Sequence, residues 1–373
     1  MRVAACAMAV VMGLASVTSV ADDLFPAKVS ITHAVGFSVD YHDTYKVVTV
    51  KDPWPGSARA FRYVLTQRGS PRPAVDDAVI IDVPVESVVA MSTTFIGHLA
   101  VLDALDLLVG VPEFGHVSNP DVRERIGRGD VAAIGRGGGI NIERLLELKP
   151  DLFLAYILEG THLDAHRLLR QAGIGIALGG GYVESTPLGR CEWLKFTALF
   201  LNAEARAEAY FADVVASYEQ LRALAAGAAD RPSVLVNAPY KDVWHLPGGS
   251  SYMARYIQDA GANYLWGDDT HTGGIPVGFE AIYARAGDAD FWINPGAWRT
   301  LEEALEKDTR FRLFRAFREG RVYNHNRRMN GQGGDDFWES GSVKPHLVLK
   351  DLVAIFHPGL LPEYAMHWYQ RLE

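Results

Sequence analysis

From Asp22 to Pro84, apolar and polar residues alternate in short runs: Val29–Thr32, Tyr45–Val50, Arg62–Thr66 and Val79–Val83, with Pro, Gly and Asp between them. Period-two alternation bounded by turn residues predicts strands, so residues 22–85 read as a small β-rich extension. After Val88 the period changes. A short apolar strand at Val88–Met91 leads to a helix over Ile96–Leu105 and a strand at Leu107–Val111. Asn141 is placed to cap a helix Ile142–Leu148 that Pro150 ends, and Leu152–Tyr156 follows as a strand. A helix over Leu163–Gln171, closed by Gly173, and a strand at Ile174–Leu178 complete the series. Strands alternating with helices predict a mostly parallel sheet.

Leu188–Leu224 then contains no Pro and no Gly except Gly189. It predicts a helix to Leu201, a break at Asn202 and a second helix Ala203–Leu224, about 33 Å long at ~1.5 Å per residue. A second α/β series follows. Strands are expected at Ser233–Ala238, Tyr264–Trp266, Phe291–Asn294 and Arg321–Asn324, and helices at Ser251–Ala260, Phe279–Ala286, Leu301–Asp308 and Lys344–Phe356. The two series echo each other. Glu143 and Glu280 each open a helix, and Pro150-Asp151-Leu152-Phe153-Leu154 and Ala289-Asp290-Phe291-Trp292-Ile293 each begin the next strand. The pattern divides the chain into an α/β lobe over 86–186, a helical linker over 187–230 and a second α/β lobe over 231–373. Open α/β sheets bind ligands at the carboxyl ends of their strands. Two such edges face to face predict an inter-lobe cleft.

Residues 1–21 carry one charge, Arg2, an uncharged run Val3–Leu14 and Ser19-Val20-Ala21 before Asp22. These are the features of a secretory leader cut after Ala21, with retention as an anchor the alternative, and they predict an exported, periplasmic chain. Cys6 stands too early for lipid attachment, and without the leader only Cys191 remains, so no internal disulfide is available. The balance of 36 Lys+Arg against 45 Asp+Glu, net charge −9, argues against a nucleic-acid partner.

Signatures of catalysis are missing: no HExxH, GxSxG, P-loop or CxxC occurs. Gly248-Gly249-Ser250-Ser251-Tyr252 reads as a turn into a helix whose free N–H groups are able to hold an anion. Gly127-x-Gly129-x-x-Ala132 is a degenerate dinucleotide fingerprint without a preceding strand. His162 and His166 share a helical spacing but have no third ligand, so no resident metal or cofactor is expected. The aromatic load says more. Tyr156, Tyr182, Tyr240, Trp244 and Trp298 all fall at or just past strand ends and are expected to wall a cleft for a large, flat or multi-ring ligand. Arg136, in Arg136-Gly137-Gly138-Gly139, and Asn326 and Arg327, in the Tyr323–Arg327 run, are expected to add polar and cationic contacts. Glu143 and Glu280 suit either the dipole of their own helix or the registry of a partner.

The ordered set Pro84-Val85-Glu86-Ser87-Val88-Val89-Ala90-Met91-Ser92-Thr93-Thr94, Gly138-Gly139-Ile140-Asn141-Ile142-Glu143-Arg144-Leu145, Leu148-Lys149-Pro150-Asp151-Leu152 and Phe279-Glu280-Ala281-Ile282 resembles the ferric-siderophore and cobalamin periplasmic binding family. The resemblance runs from about Glu86 to the C-terminus. It implies a class III periplasmic binding protein: two Rossmann-like lobes joined by one long rigid helix, binding rather than catalysing. It implies a monomeric receptor that captures a metal chelate, foremost a ferric siderophore, and delivers it to an ABC transporter permease in the inner membrane. Glu143 and Glu280 would pair with permease arginines. Haem, held through Tyr156, Tyr182 or Tyr240, and cobalamin are the alternatives within the family, and a secreted metal-dependent hydrolase is the alternative outside it. The extension 22–85 and the run Gly333–Gly341 depart from the family's common core.

Overall fold

The computed structural model describes residues 23–75, 78–135, 139–156, 169, 171–241 and 243–373. The expected leader, Arg136, the His162/His166 pair and most of the expected helix Leu163–Gln171 lie outside the described residues. Among those described, no helix is long and apolar enough to cross a membrane.

The extension forms one four-stranded sheet in sequence order: β1 (Phe37–Tyr41), β2 (Tyr45–Lys51), β3 (Ala60–Gln67) and β4 (Val79–Val83). The first three run antiparallel and β4 joins parallel. Val48, Val50, Tyr63 and Leu65 are buried on one face, but Val47, Val64 and Thr66 on the other face are buried as well, so the sheet centre is covered on both sides rather than half-exposed as the alternation predicts. The expected strand Val29–Thr32 does not form, because side chains take its donors. Val29 N–H donates to the Tyr41 hydroxyl (3.0 Å), Ser30 N–H to Glu208 Oε1 (2.6 Å) and Thr32 N–H to Glu192 Oε1 (3.0 Å).

The first lobe holds β5 (Val88–Ala90), β6 (Leu108–Val111), β7 (Ala132–Ala133), β8 (Leu152–Ala155) and β9 (Gly175–Leu178). They pair all-parallel in the order β7-β6-β5-β8-β9. The helix after β5 starts at Thr93, earlier than the pattern predicted, because the Ser92 hydroxyl caps it by accepting from Thr94 N–H (3.3 Å). A helix Pro120–Arg128 was not predicted. It buries only Val122 and is otherwise almost entirely polar, so few apolar residues mark it. Its presence settles the glycine fingerprint: Gly127 lies inside the helix and Gly129, at φ +83°, ends it in the left-handed conformation glycine accepts without strain.

The second lobe contains β10 (Ser233–Val236), β11 (Pro239–Tyr240), β12 (Val243–Pro247), β13 (Asn263–Tyr264), β14 (Gly274–Gly278), β15 (Phe291–Ile293), β16 (Val322–Asn324) and β17 (Gln370–Arg371). Five of them form the lobe sheet, in the order β13-β10-β15-β16-β17, parallel except at the β17 edge. The other three, β11-β12-β14, form a separate antiparallel sheet that the sequence did not announce.

Between the lobes runs a helix pair, Pro187–Leu199 and Glu204–Ala226, broken at Asn202, where φ is +52°. The shorter helix is buried at every position except Arg190. Its interior position puts charges out of water, and each is paired. Glu192 accepts from the backbone N–H groups of Thr32, His33 and Ala34 (3.0, 2.6 and 2.7 Å) and from Lys195 Nζ (3.1 Å). Glu184, just before the helix, accepts from Val35 N–H, Gly36 N–H and the Trp193 indole (2.9, 2.9 and 3.0 Å). Lys46, on β2, donates to Leu199 O, Asn202 Oδ1 and Glu204 Oε1 (2.6, 2.8 and 2.6 Å). The extension is thereby pinned into the linker rather than appended to it.

A second connection crosses between lobes near the C-terminus. Helix Asp336–Ser340 lies against helix Thr93–Val101, so close that a Cβ on Gly97 would stand 2.2 Å from Glu339 O. Asn330 Nδ2 donates to Gly115 O and Val117 O (3.0 Å each), and Glu339 Oε2 accepts from Ser118 N–H (2.8 Å).

Removing a partner from a buried charge strands the rest, at ~3–5 kcal/mol. Glu192→Ala, which orphans three backbone donors, is therefore expected to lower unfolding stability by about that amount in urea titration. Lys46→Met should cost similarly, and Lys46→Met combined with Glu204→Leu should recover most of the loss, because neither charge then remains buried; additive losses would show the pair is not coupled. The two buried glutamates act oppositely with pH. Burial pushes the Glu192 carboxyl up, but the N–H groups of Ala34, Thr32 and His33 and the Lys195 ammonium outweigh it and hold the group below its usual 4.5. Its contribution is present above that value and is lost as pH falls below it. Glu339 is pushed up to about 7 from 4.5, mainly by burial and also by Asp336, against Ser118 and Asn119 N–H and Arg123. Its stability is full below pH 4.5 and declines as pH rises towards about 7. Glu339→Gln should flatten that decline and leave the acid limb unchanged.

Candidate functional site

The carboxyl ends of both parallel sheets open on a shared cleft. From the first lobe, β5 leads to Ser92 and Thr94, β8 to Tyr156, and β9 to Gly181 and Tyr182. From the second come Tyr252, the first residue of helix Tyr252–Asp259, and Tyr256 one turn on. The crossing segment supplies Phe337 and Trp338. Arg190 enters from the linker helix. These groups enclose a cavity of about 320 Å³. A neighbouring cavity of about 570 Å³ also touches Pro55, from the extension, and the second-lobe strand ends Asn237, Asn294 and His325.

Arg190 is fixed before any ligand arrives. Its Nε donates to Glu184 O (3.1 Å), another guanidinium N–H donates to Tyr182 O, and the guanidinium carbon lies 3.4 Å from the Tyr252 ring centroid. Burial draws its affinity for the proton down, and Tyr252, Tyr256, Tyr156 and Glu184 draw it back up; an arginine in this setting stays charged. Among the described residues it is the one guanidinium or ammonium lining either cavity. Tyr156 stacks on Phe95 (centroids 4.7 Å apart, 16° between planes) and meets Tyr182 edge-on (5.5 Å, 84°). Burial pushes the Tyr156 phenol well above its ordinary range, so it remains a protonated donor at neutral pH. His98 also lines the cavity. Burial lowers it to about 3, and its Nδ1 is 2.8 Å from Thr197 Oγ1, so it adds no charge.

The structure brings together only part of the aromatic wall the sequence suggested. Tyr156 and Tyr182 line the smaller cavity, and Tyr182 lines both. Trp244 does not: it sits mid-strand in the separate antiparallel sheet, is fully buried, donates to Val236 O (2.9 Å) and packs on Trp292 (5.3 Å). Trp298 turns back into the same core against Phe311 (4.9 Å). Asn326 is buried and spent on Trp298 O and Gln370 (2.8 Å each). Tyr240 is 66% exposed on the β11–β12 hairpin with the Lys241 ammonium over its ring, and Arg327 is exposed; neither lines either of these two cavities. Glu143 and Glu280 are exposed in the first turns of helices Ile142–Leu148 and Phe279–Ala286. The Gly248–Ser251 turn is not an anion loop. Gly248, Ser250 and Ser251 N–H groups are taken by Gly273 O, His271 O and Gly248 O, and a Cβ at Gly248 or Gly249 would strike backbone at 2.1 or 2.3 Å.

The residues missed were Arg190, Tyr252, Tyr256, Phe337 and Trp338. Arg190 had a signal: a lone guanidinium in the otherwise apolar start Pro187-Leu188-Gly189-Arg190-Cys191 is costly to bury without a purpose. Phe337 and Trp338 stood in the Gly333–Gly341 run, whose place at the cleft only the crossing between lobes reveals.

Known proteins resemble this chain in sequence or in fold. An uncharacterized lipoprotein of Methanocaldococcus jannaschii is 26% identical over 306 residues, 79% of this chain and 70% of that one. A periplasmic heme binding protein from Pseudomonas aeruginosa superposes with a TM-score of 0.58 at 20% identity, over 78% of this chain and 98% of that one. A possible iron-binding periplasmic solute-binding protein from Staphylococcus epidermidis superposes with a TM-score of 0.57 at 17% identity, over 74% and 99%. The periplasmic binding protein family model matches residues 88–327, from the first lobe sheet through the linker to the end of β16. Since the match spans the first lobe, the linker and most of the second-lobe sheet, more than half of the chain, this chain belongs to the periplasmic binding protein family, whose members carry solutes to ABC transporters.

Proposed function

We propose that this protein captures a metal chelate, foremost a ferric siderophore, in the inter-lobe cleft and hands it to an ABC permease. The observation that carries this reading is the cleft itself: aromatic walls around one preset guanidinium, Arg190, at the one position of its helix that is not buried. Such a site suits a bulky ligand of low negative charge, whose metal is already held by its chelator. Among the described residues no group of three or more His, Cys, Asp and Glu is placed to hold a bare metal ion. The iron and heme binding described for two proteins of similar fold supports the same class. We further propose that residues 1–21 direct export to the periplasm, with anchoring the alternative that the lipoprotein relative favours. In this reading Glu143 and Glu280, one exposed carboxylate per lobe, meet the permease.

Haem is the second reading. Tyr252, with the Arg190 guanidinium against its ring, lines the cavity, and a tyrosine phenolate is able to serve as an axial ligand. Cobalamin, which needs no protein ligand, is the third.

The test is the thermal midpoint of residues 22–373 against ferric hydroxamate and catecholate chelates, their iron-free forms, haem, cobalamin and free Zn²⁺. A true ligand at ~100 times its Kd stabilises by about 2.7 kcal/mol, a rise of several degrees. A rise with a ferric chelate and none with its iron-free form is expected. A rise with haem alone, with a new Soret band, would replace the siderophore by haem, and silence across the panel would refute the chelate reading. Arg190→Ala is expected to abolish the rise. Glu143→Ala with Glu280→Ala should lower uptake in permease-containing vesicles out of proportion to any change in ligand affinity.

A further inference from the structure

Three consecutive glycines, Gly179–Gly181, join β9 to Tyr182 and Glu184, and all three are buried. Glycine loses more backbone freedom on ordering than any other residue, so this loop needs support from outside. It has no room for side chains of its own: a Cβ at Gly179 would stand 2.9 Å from Phe95, and one at Gly180 3.0 Å from Trp193. The same loop grips the guanidinium of the cleft, because Arg190 donates to Tyr182 O and to Glu184 O. Wherever the loop sits, Arg190 is aimed accordingly.

The support comes from the N-terminal extension, at three points in order along the loop. Leu178 N–H, at the end of β9, donates to the hydroxyl of Tyr63 on β3 (3.0 Å). Pro53, buried between β2 and β3, lies behind Gly180, whose Cβ would be 3.4 Å from Pro53 Cα. Glu184, 4% exposed, commits one carboxylate oxygen, Oε1, to Val35 N–H, Gly36 N–H and the Trp193 indole. The segment that carries Pro53 also brings Pro55 to the wall of the larger cavity, which Tyr182, Glu184 and Arg190 line as well. A hydrogen bond weakens steeply when its angle is lost, and a group ordered beforehand loses less freedom when it meets its ligand. Resting on the reading of the cleft as a chelate site, we propose that the extension is a working part of that site: it fixes the Leu178–Glu184 loop from behind and so aims Arg190 at the ligand. Glu184 is the positioning residue. Its carboxylate takes donors from the extension and its carbonyl takes the guanidinium, so one residue couples the two. The lobes and linker alone would leave that carboxylate with the Trp193 indole and without its two backbone donors.

The test combines two readouts on residues 22–373, both taken well below the unfolding midpoint. The first needs no ligand. With isotope-labelled arginine, the Arg190 Nε–H gives a nuclear magnetic resonance signal displaced by the Tyr252 ring 3.4 Å away, identified by its loss in Arg190→Lys. Glu184→Ala is expected to return that signal towards the position of exposed arginines, and Glu184→Gln, which keeps an acceptor oxygen in place, to leave it displaced. The second readout is affinity for a ferric trihydroxamate and a ferric tricatecholate. Glu184→Ala should weaken binding about tenfold, the scale of one lost hydrogen bond to a charged group, and Glu184→Gln should restore most of it. In an Arg190→Ala background Glu184→Ala should change affinity by less than about twofold, because the two act through one contact. If Glu184→Ala does not fold, Tyr63→Phe, which removes the acceptor of Leu178 N–H from the extension side, should shift the same signal and weaken binding in the same direction. A lowered midpoint with the Arg190 signal and the affinities unchanged would overturn the proposal, and so would losses that add in the double variant. If neither chelate binds the unaltered protein and no other iron chelate raises its midpoint, the chelate reading falls, and the Arg190 signal still decides whether the extension aims the guanidinium.

Discussion

Everything in this molecule leans on one thirteen-residue helix, Pro187–Leu199, that has almost no contact with water. A helix in that position cannot leave a charge unpaired, because an isolated buried ion costs far more than the protein's net stability. Glu192 and Lys195 are therefore answered by backbone from residues 30–34, and Glu184, at its entrance, by residues 35 and 36. The N-terminal sheet is the partner these charges require. That explains why a segment outside the family's common core is packed into the centre of the structure. Buried ion pairs add little net stability compared with apolar contacts, but they specify a single docking geometry for the extension.

The same constraint creates the cleft. With twelve of its thirteen positions consumed by packing, the helix has one side chain left to reach the cavity between the lobes, and that residue is Arg190. Carbonyls of Tyr182 and Glu184 and the ring of Tyr252 hold the guanidinium in place. Its order is established by folding, so little is lost when an anion arrives. The crossing segment at Asn330–Glu339 adds a second tie between the lobes. Two ties separated along the chain restrain hinge motion more than one helix does, and they leave the cavity largely formed beforehand. The segment that makes the second tie also carries Phe337 and Trp338 into the wall, so rigidity and recognition come from the same residues.

The sequence was a reliable guide wherever a local period governs structure. The helices at Ile142–Leu148 and Phe279–Ala286 and the break at Asn202 lie where pattern and capping residues placed them. It failed where a distant partner decides. Val29–Thr32 has the alternation of a strand, yet Glu192 and Glu208, more than 150 residues away, take its donors. Trp244 and Trp298 stand near strand ends by count, but a second small sheet and a returning loop draw them into the core. Chain position predicts that a residue is near a sheet edge and does not predict which way its ring turns. Of the suggested cleft residues, Tyr156 and Tyr182 line the cavity because they follow strands of the parallel sheet itself.

By itself, then, the amino-acid sequence determined two α/β lobes, a helical linker, a β-rich extension and the family, because periodicity, caps and ordered motifs are local properties that survive without a partner. Tertiary structure alone decided which side chains meet in the cleft. Arg190 became its cation only when every other face of its helix was covered, and Phe337 and Trp338 became its wall only when their segment crossed between lobes. Both outcomes depend on contacts between residues more than a hundred positions apart, and no window of sequence contains them.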